Sequence, residues 1–192
     1  METETLRKFV AQIHTLTNEE ADAFTKNWEP ITLKRKTIIT TAGETERYLY
    51  FVIEGLQRAF YLGDNDKEAT IVFTYPPSFS GVADSFLTQT PSNYFLETLT
   101  ASRLLRIGYD EVKNLMGRYS SIEKLIFKAT AFALKGALHR QIELQFFSNE
   151  EKFKTLLKRS LHILNLVPHK YLASYLGIDA TNFSKLLGSV RM

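Results

Sequence analysis

Apolar positions follow a helical period at both ends of this chain and a strand-like texture in the middle. Leu6, Phe9, Val10 and Ile13 form one stripe, and residues 3–29 read as helical. A second helix opens inside that stretch. Thr17 followed three residues later by Glu20 is a capping box, and Phe24 and Trp28 fall four apart on one face. From Pro30 the texture changes. Ile31, Leu33, Ile38 and Ile39 stand among Thr and Lys, and Ala42-Gly43-Glu44 marks a turn. Tyr48–Ile53, Leu56–Leu62 and Ala69–Tyr75 are aromatic or β-branched runs, parted by Glu54-Gly55 and by Gly63-Asp64-Asn65-Asp66. Pro76-Pro77 and Gly81 mark a longer connection, and Phe95–Ala101 and Leu104–Ile107 close the set. Short strands broken by Gly, Asn and Asp turns predict an all-β sandwich or barrel here.

After Gly108 the period is helical again. Asp110 to about Tyr119 reads as a short helix, and Ser120/Ser121 opens a long one reaching about Phe147. This long helix is apolar on two faces. One carries Phe127, Ala131, Leu134, Leu138 and Ile142; the other carries Ile122, Ile126, Ala129, Ala133 and Gly136. Either both faces are buried in one subunit, or one lies on the β domain and one on a second copy. Small residues at 129, 133 and 136 favour close helix approach and make Ile122, Ile126, Ala129, Ala133 and Gly136 the expected dimer face. Asn149 is the expected cap of the next helix, with Glu150 and Glu151 at its positive end.

Residues 166–185 read as helix, tight turn, helix. Pro168 suits the first helical position, and Leu172, Ala173 and Leu176 form a stripe. Gly177 accepts the left-handed conformation that ends the first helix. Asp179 caps a second helix that buries Phe183, Leu186 and Leu187. Two short helices joined this way suit a helix-turn-helix, whose second helix enters the DNA major groove. An ordinary helical hairpin in a small core has the same pattern.

Charge adds a local signal. Lys and Arg number 24 against 21 Asp and Glu, for a net charge of +3. From residue 152 onward Lys152, Lys154, Lys158, Arg159, Lys170, Lys185 and Arg191 face Asp179 alone. That excess suits a nucleic-acid partner. The absence of Cys excludes disulfides and thiolate-held iron–sulfur clusters. The charged N-terminus does not suit a signal peptide, and no run approaches the roughly 18 apolar residues of a membrane helix. A cytoplasmic, non-membrane protein is expected. An enzyme on a metal-binding roll needs two or three His, and residues 30–108 hold none. Asp84, Glu54 and Glu97 form no recognisable catalytic pair, so no enzymatic activity is expected.

The order of helical lead-in, roll, long helix and helix-turn-helix resembles the Crp/Fnr transcriptional regulators over roughly residues 15–188. The residues carrying the resemblance are Tyr50-Phe-Val-Ile-Glu-Gly-Leu56, the hairpin Gly63–Glu68, Phe79-Ser80-Gly81 and Val167–Gly177. It implies an α+β chain: N-terminal helices and an antiparallel β-roll (a jelly roll, or double-stranded β-helix, of cyclic-nucleotide-binding type), a long dimerisation helix, and a small C-terminal helical unit. The implied division is a sensor over 1–147, with its dimer helix at about 121–147, and a helix-turn-helix domain over 148–192. The family's β-hairpin wing has no counterpart before Met192, so the unit is expected to lack a full wing. The implied partners are double-stranded DNA and a second copy of the chain; the resemblance also admits RNA polymerase.

By resemblance, the effector cassette is Gly-Glu and, about ten residues on, Arg followed by a small residue. The Glu would bind a ribose hydroxyl and the Arg a cyclic phosphate. Laid on Gly81, this sequence offers Val82 for the Glu, Ser92 for the Arg and Asn93 after it. A buried phosphate without a cation is costly, so Gly81, Val82, Ser92 and Asn93 form a degenerate pocket disfavouring cAMP. Arg58 and Arg47 are candidate substitutes; Arg103 and Arg106 read as exposed strand residues. With only His14 and His139 outside the DNA-binding part, haem has no expected ligand. No cofactor is expected, and another small-molecule effector remains open. At the DNA end, Ala180, Thr181, Ser184 and Lys185 fall where relatives contact bases. Thr181 and Lys185 stand where relatives commonly have Glu and Arg, which implies altered or weaker reading. Lys170, Asn182 and Ser189 are candidates for phosphate contacts. These departures also keep open a non-enzymatic ligand-binding or protein-interaction module with a decayed DNA-binding part.

Overall fold

A computed structural model describes residues 2–189. Arg191, counted above in the basic group, and the region where a wing would begin lie outside them.

Two helices lead in, α1 (Glu2–Ile13) and α2 (Asn18–Lys26). The capping box is formed: Glu20 N–H donates to Thr17 Oγ1, and Thr17 N–H donates to the Glu20 carboxylate at 2.8 Å. The strands are β1 (Glu29–Leu33), β2 (Ile38–Thr40), β3 (Tyr48–Glu54), β4 (Gln57–Leu62), β5 (Glu68–Thr74), β6 (Ser78–Ser80), β7 (Phe95–Thr98) and β8 (Ser102–Gly108). They make two four-stranded antiparallel sheets, ordered β1-β8-β3-β6 and β2-β7-β4-β5. Alternation sorts each strand between two faces. In the first sheet Phe51, Leu105 and Ile107 pack under the helices with Leu6, Val10, Phe24 and Trp28, while Tyr50, Val52 and Leu104 form a separate cluster. Ala59 and Leu96 of the second sheet pack with Val82.

Helix α3 (Ala83–Thr88) lies in the connection after Gly81, which the sequence marks only as long. Helices α4 (Tyr109–Arg118), α5 (Ser120–Phe146), α6 (Asn149–Ser160), α7 (His169–Leu176) and α8 (Ala180–Ser189) follow among the described residues. This is the expected α+β roll, long helix and terminal helix pair. Two helix starts differ by one residue. Ser148, not Asn149, caps α6 through a capping box with Glu151, because a cap needs extended backbone and a hydroxyl reaching the third amide. Pro168 precedes α7 in extended conformation (ψ 133°), not at its first helical position.

Only the first part of the expected dimer face of α5 is covered within the subunit. Ile122 and Ile126 are 0% and 7% exposed, packed with α1, α2 and α4 inside the subunit. Phe127, Leu134, Leu138 and Ile142 are exposed at 73%, 59%, 53% and 55%. The larger side chains at 122, 125 and 126 fill the space over the first sheet. Ala129 is half-buried, and Ala133 and Gly136 lie exposed beyond the part of α5 that the roll covers.

The second sheet carries the C-terminal helices. Leu56, Phe73 and Leu99 of the roll share one apolar cluster with Phe153, Leu156, Ile163, Leu164, Leu172, Leu176 and Phe183. The roll and the terminal helices therefore have a continuous core across the expected boundary at residue 148.

Candidate nucleic-acid interface and sensor pocket

The terminal unit is built around a tight turn. Leu172, Ala173 and Leu176 are buried. Gly177 takes φ 65° and ψ 36°, a left-handed pair that any side chain would strain. Its N–H donates to Ser174 O at 3.1 Å, and Ile178 N–H donates to Ala173 O at 3.1 Å. Asp179 then receives the Asn182 N–H at 2.8 Å, the expected cap of α8. That N–H holds the Asp179 carboxyl below its ordinary value. Phe183, 1% exposed, anchors α8 edge-on to Phe153 at 5.5 Å and against His169 at 5.4 Å.

With Phe183 facing inward, Ala180, Thr181, Asn182, Ser184 and Lys185 are exposed together on α8. Their polar groups are not equally free. Asn182 donates its amide to Asp179 at 2.5 Å, and Ser184 donates its hydroxyl to Ala180 O at 3.0 Å. Ser189 donates to Leu186 O at 3.0 Å. Thr181 and Lys185 make no side-chain hydrogen bond or ion pair among the described residues. Lys170 is exposed on α7 with its ammonium 4.7 Å from the Tyr171 ring centre. The basic excess is smaller at the surface than in the sequence. Lys152 is 8% exposed, Lys154 pairs with Glu150 at 2.5 Å, and Arg159 pairs with Glu143 at 3.0 Å. Lys158, Lys170 and Lys185 remain exposed without an ion pair among the described residues.

Val82 and Ser92 are buried, Gly81 is half-buried and Asn93 is exposed. Gly81 takes φ 125°, and a Cβ there would come within 3.3 Å of Tyr48 O. Val82 is 3% exposed and packs with Ala59 and Leu96. Ser92 is buried and engaged by its own loop: its hydroxyl donates to Tyr94 O at 2.8 Å and accepts from Tyr94 N–H at 2.9 Å. Neither substitute arginine reaches this region. Arg47 is exposed, and Arg58 is buried on β4 with its guanidinium on Glu97 at 2.5 Å and Glu68 at 2.6 Å. Arg103 is exposed and pairs with Glu2 and Glu54, both at 3.0 Å; Arg106, half-buried, pairs with Glu29 at 3.2 Å.

A carboxylate stands beside Gly81 instead of a cation. Glu46 is 3% exposed and accepts from the Thr40 hydroxyl, from Tyr48 N–H at 3.1 Å and, more weakly, from Val82 N–H at 3.5 Å. Burial raises its carboxyl above the ordinary value against those hydrogen bonds. Burial also pushes the neighbouring Tyr50 phenol up, with Glu46 adding to it. The side chain beside Gly81 is thus a buried carboxyl rather than a cation.

Sequence reasoning missed three groups. Glu46 lies in a polar turn without periodicity, so nothing local marks it as buried. Arg58, Glu68 and Glu97 come from three strands and meet only through sheet register. The third is Glu143, whose side chain has no exposed surface and pairs with Arg140 at 2.5 Å and Arg159 at 3.0 Å. Its spacing of three from Arg140 on α5 was the one available signal.

Residues 30–119 match the cyclic nucleotide-binding domain family. A comparison with curated protein sequences gives no match. Solved structures share the fold at low identity. FixK2 from Bradyrhizobium japonicum aligns with a TM-score of 0.74 at 15% identity, over 84% of this chain and 83% of that one. A proposed Crp/Fnr-family transcriptional regulator from Eubacterium rectale gives 0.71 at 17%, over 90% and 82%. The catabolite activator protein of Thermus thermophilus gives 0.59 at 21%, over 94% and 89%. The fold is that of an antiparallel β-roll joined through a long helix to a terminal helix pair. In particular, it is the Crp/Fnr fold.

Proposed function

We propose that the protein is a Crp/Fnr-type transcriptional regulator that binds double-stranded DNA as a homodimer. The observation that carries this reading is α8 itself. Phe183 fixes one side of the helix in the core, and the opposite side presents Thr181 and Lys185 uncommitted. Thr181 suits a thymine methyl or a base-edge hydrogen bond, and Lys185 suits guanine or phosphate. The exposed α5 seam of Phe127, Leu134, Leu138 and Ile142 supports dimerisation, at spacings of seven, four and four. A two-fold through that seam gives two reading helices for half-sites about one helical turn apart.

The same reading makes the roll a degenerate sensor. The cassette supplies no cation, and Glu46 places a buried carboxyl beside it. cAMP is expected to leave the thermal midpoint unchanged, whereas a ligand at about 100 times its Kd adds about 2.7 kcal/mol. The activity is non-enzymatic, and its place is the cytoplasm, with the chromosome. No helix among the described residues is long and apolar enough to cross a membrane. Fluorescence anisotropy with labelled fragments of its own upstream region, titrated with salt, tests the DNA reading. A specific complex with a steep salt slope is expected; equal affinity for scrambled fragments would remove the proposal.

A further inference from the structure

Arg58 is the largest side chain that the fold buries completely, and it lies where the roll meets the terminal helices. It projects from β4 on the outer face of the second sheet. On its edge it donates to Glu97 at 2.5 Å, to Glu68 at 2.6 Å and to Thr70 Oγ1 at 3.3 Å. Its guanidinium carbon lies over two rings, Phe60 at 4.1 Å and Tyr171 at 3.5 Å from their centres. Phe60 belongs to the roll, and Tyr171 belongs to α7. The guanidinium is thus neutralised within the sensor and closed over by the helix-turn-helix.

A second contact fixes the same helix. Strand β5 is the edge of its sheet, with backbone groups lacking a further strand. Ser174 takes their place: its hydroxyl accepts from Thr70 N–H at 2.9 Å and donates to Glu68 O at 3.2 Å. Phe73 packs on Tyr175 at 5.1 Å between ring centres. Each of these contacts depends on α7 keeping its place on the sheet, and α7 carries α8 through the Gly177 turn.

We infer that Arg58 is a positioning residue that latches α7 onto the sensor sheet, so that sensor and reading helix turn as one body. The inference rests on the reading of α8 as the DNA-reading helix. It makes the crossing of two α5 helices, rather than a swing about residues 147–148, the motion that sets the spacing between reading helices.

Hydrogen exchange on the full chain without DNA tests the latch. Tyr171→Leu combined with Ser174→Ala loosens it from the helix side and leaves the Arg58 ion pairs intact. Exchange in α6, α7 and α8 is expected to rise at least tenfold, while β3 and β8 keep their protection. Tyr171→Phe keeps the ring and should restore most of the protection. Arg58→Met should give the same regional pattern, and adding Tyr171→Leu to it should add little, because both remove one contact. Unchanged protection in α6–α8, or a loss spread equally over both sheets, would overturn the latch. Since exchange is read on the free protein, failure to find an operator complex bears on the DNA proposal and not on this one.

Discussion

Glu143 of α5 and Arg159 of α6 form an ion pair at 3.0 Å in which the carboxylate has no exposed surface. Arg140 joins at 2.5 Å and also donates to the Tyr175 carbonyl at the end of α7. One carboxylate therefore ties three helices. Burial alone would raise its pKa, but the hydrogen bonds from Arg140 and Arg159 outweigh burial and hold it below the ordinary 4.5. Stability from a lowered carboxyl is complete above the unfolded-state value and lost as pH falls through the folded-state value. Glu143→Gln should cost about 3 kcal/mol near neutral pH, the low end for breaking a buried pair because Arg159 is 41% exposed. The deficit should close in acid. Urea denaturation across a pH series checks both magnitude and direction.

Glu46 should show the opposite sign. Its carboxyl is raised by burial, so its favourable contribution is present below the ordinary value of 4.5 and is lost as pH rises through the folded-state value. Glu46→Gln should be destabilising or neutral in acid and gain on the natural protein as pH rises to neutrality. The same denaturation series reads this; parallel pH curves for the two proteins would contradict it.

On α8 two neighbours should behave differently. Phe183→Ala should cost about 3–5 kcal/mol, since the ring is 1% exposed in the shared core. Lys185→Ala should change stability by no more than about 0.5 kcal/mol, as expected for an exposed residue. It should nevertheless weaken DNA binding about fivefold or more and reduce the logarithmic salt slope by about 1 if the ammonium meets a phosphate. Calorimetry and salt-titrated anisotropy separate the two.

The α5 seam should control assembly. Leu138 is 53% exposed in the single chain, and Leu138→Glu would place two charges in a coiled-coil contact. A shift of the dimer midpoint by at least about 100-fold is expected in sedimentation velocity, with unchanged helical content. Ile122→Ala should instead lower stability by about 2–5 kcal/mol, because Ile122 lies inside the subunit.

Much of this architecture is set by local rules. The Thr17–Glu20 box, the Gly63–Asp66 hairpin, the Gly177 turn and the inward Phe183 each follow from short-range geometry. The order of the elements and the missing cassette cation are equally visible in one dimension, and so is the α8 face that Thr181 and Lys185 share. Two apolar stripes on α5 are visible as well, but periodicity cannot say which meets the roll. That choice depends on the volume between α1, α2, α4 and the first sheet, which Ile122, Leu125 and Ile126 fill. Buried charge follows the same logic. Arg58 and Glu97 are 39 residues apart, and strand register makes them neighbours; Tyr171 closes over them from a helix still farther along the chain. Sequence by itself determined the order of the main elements and which residues face out of α8. Tertiary structure alone decided how far α5 is covered, which charges are buried, and that the roll and the terminal helices share a core, because those depend on distances between segments that no local period encodes.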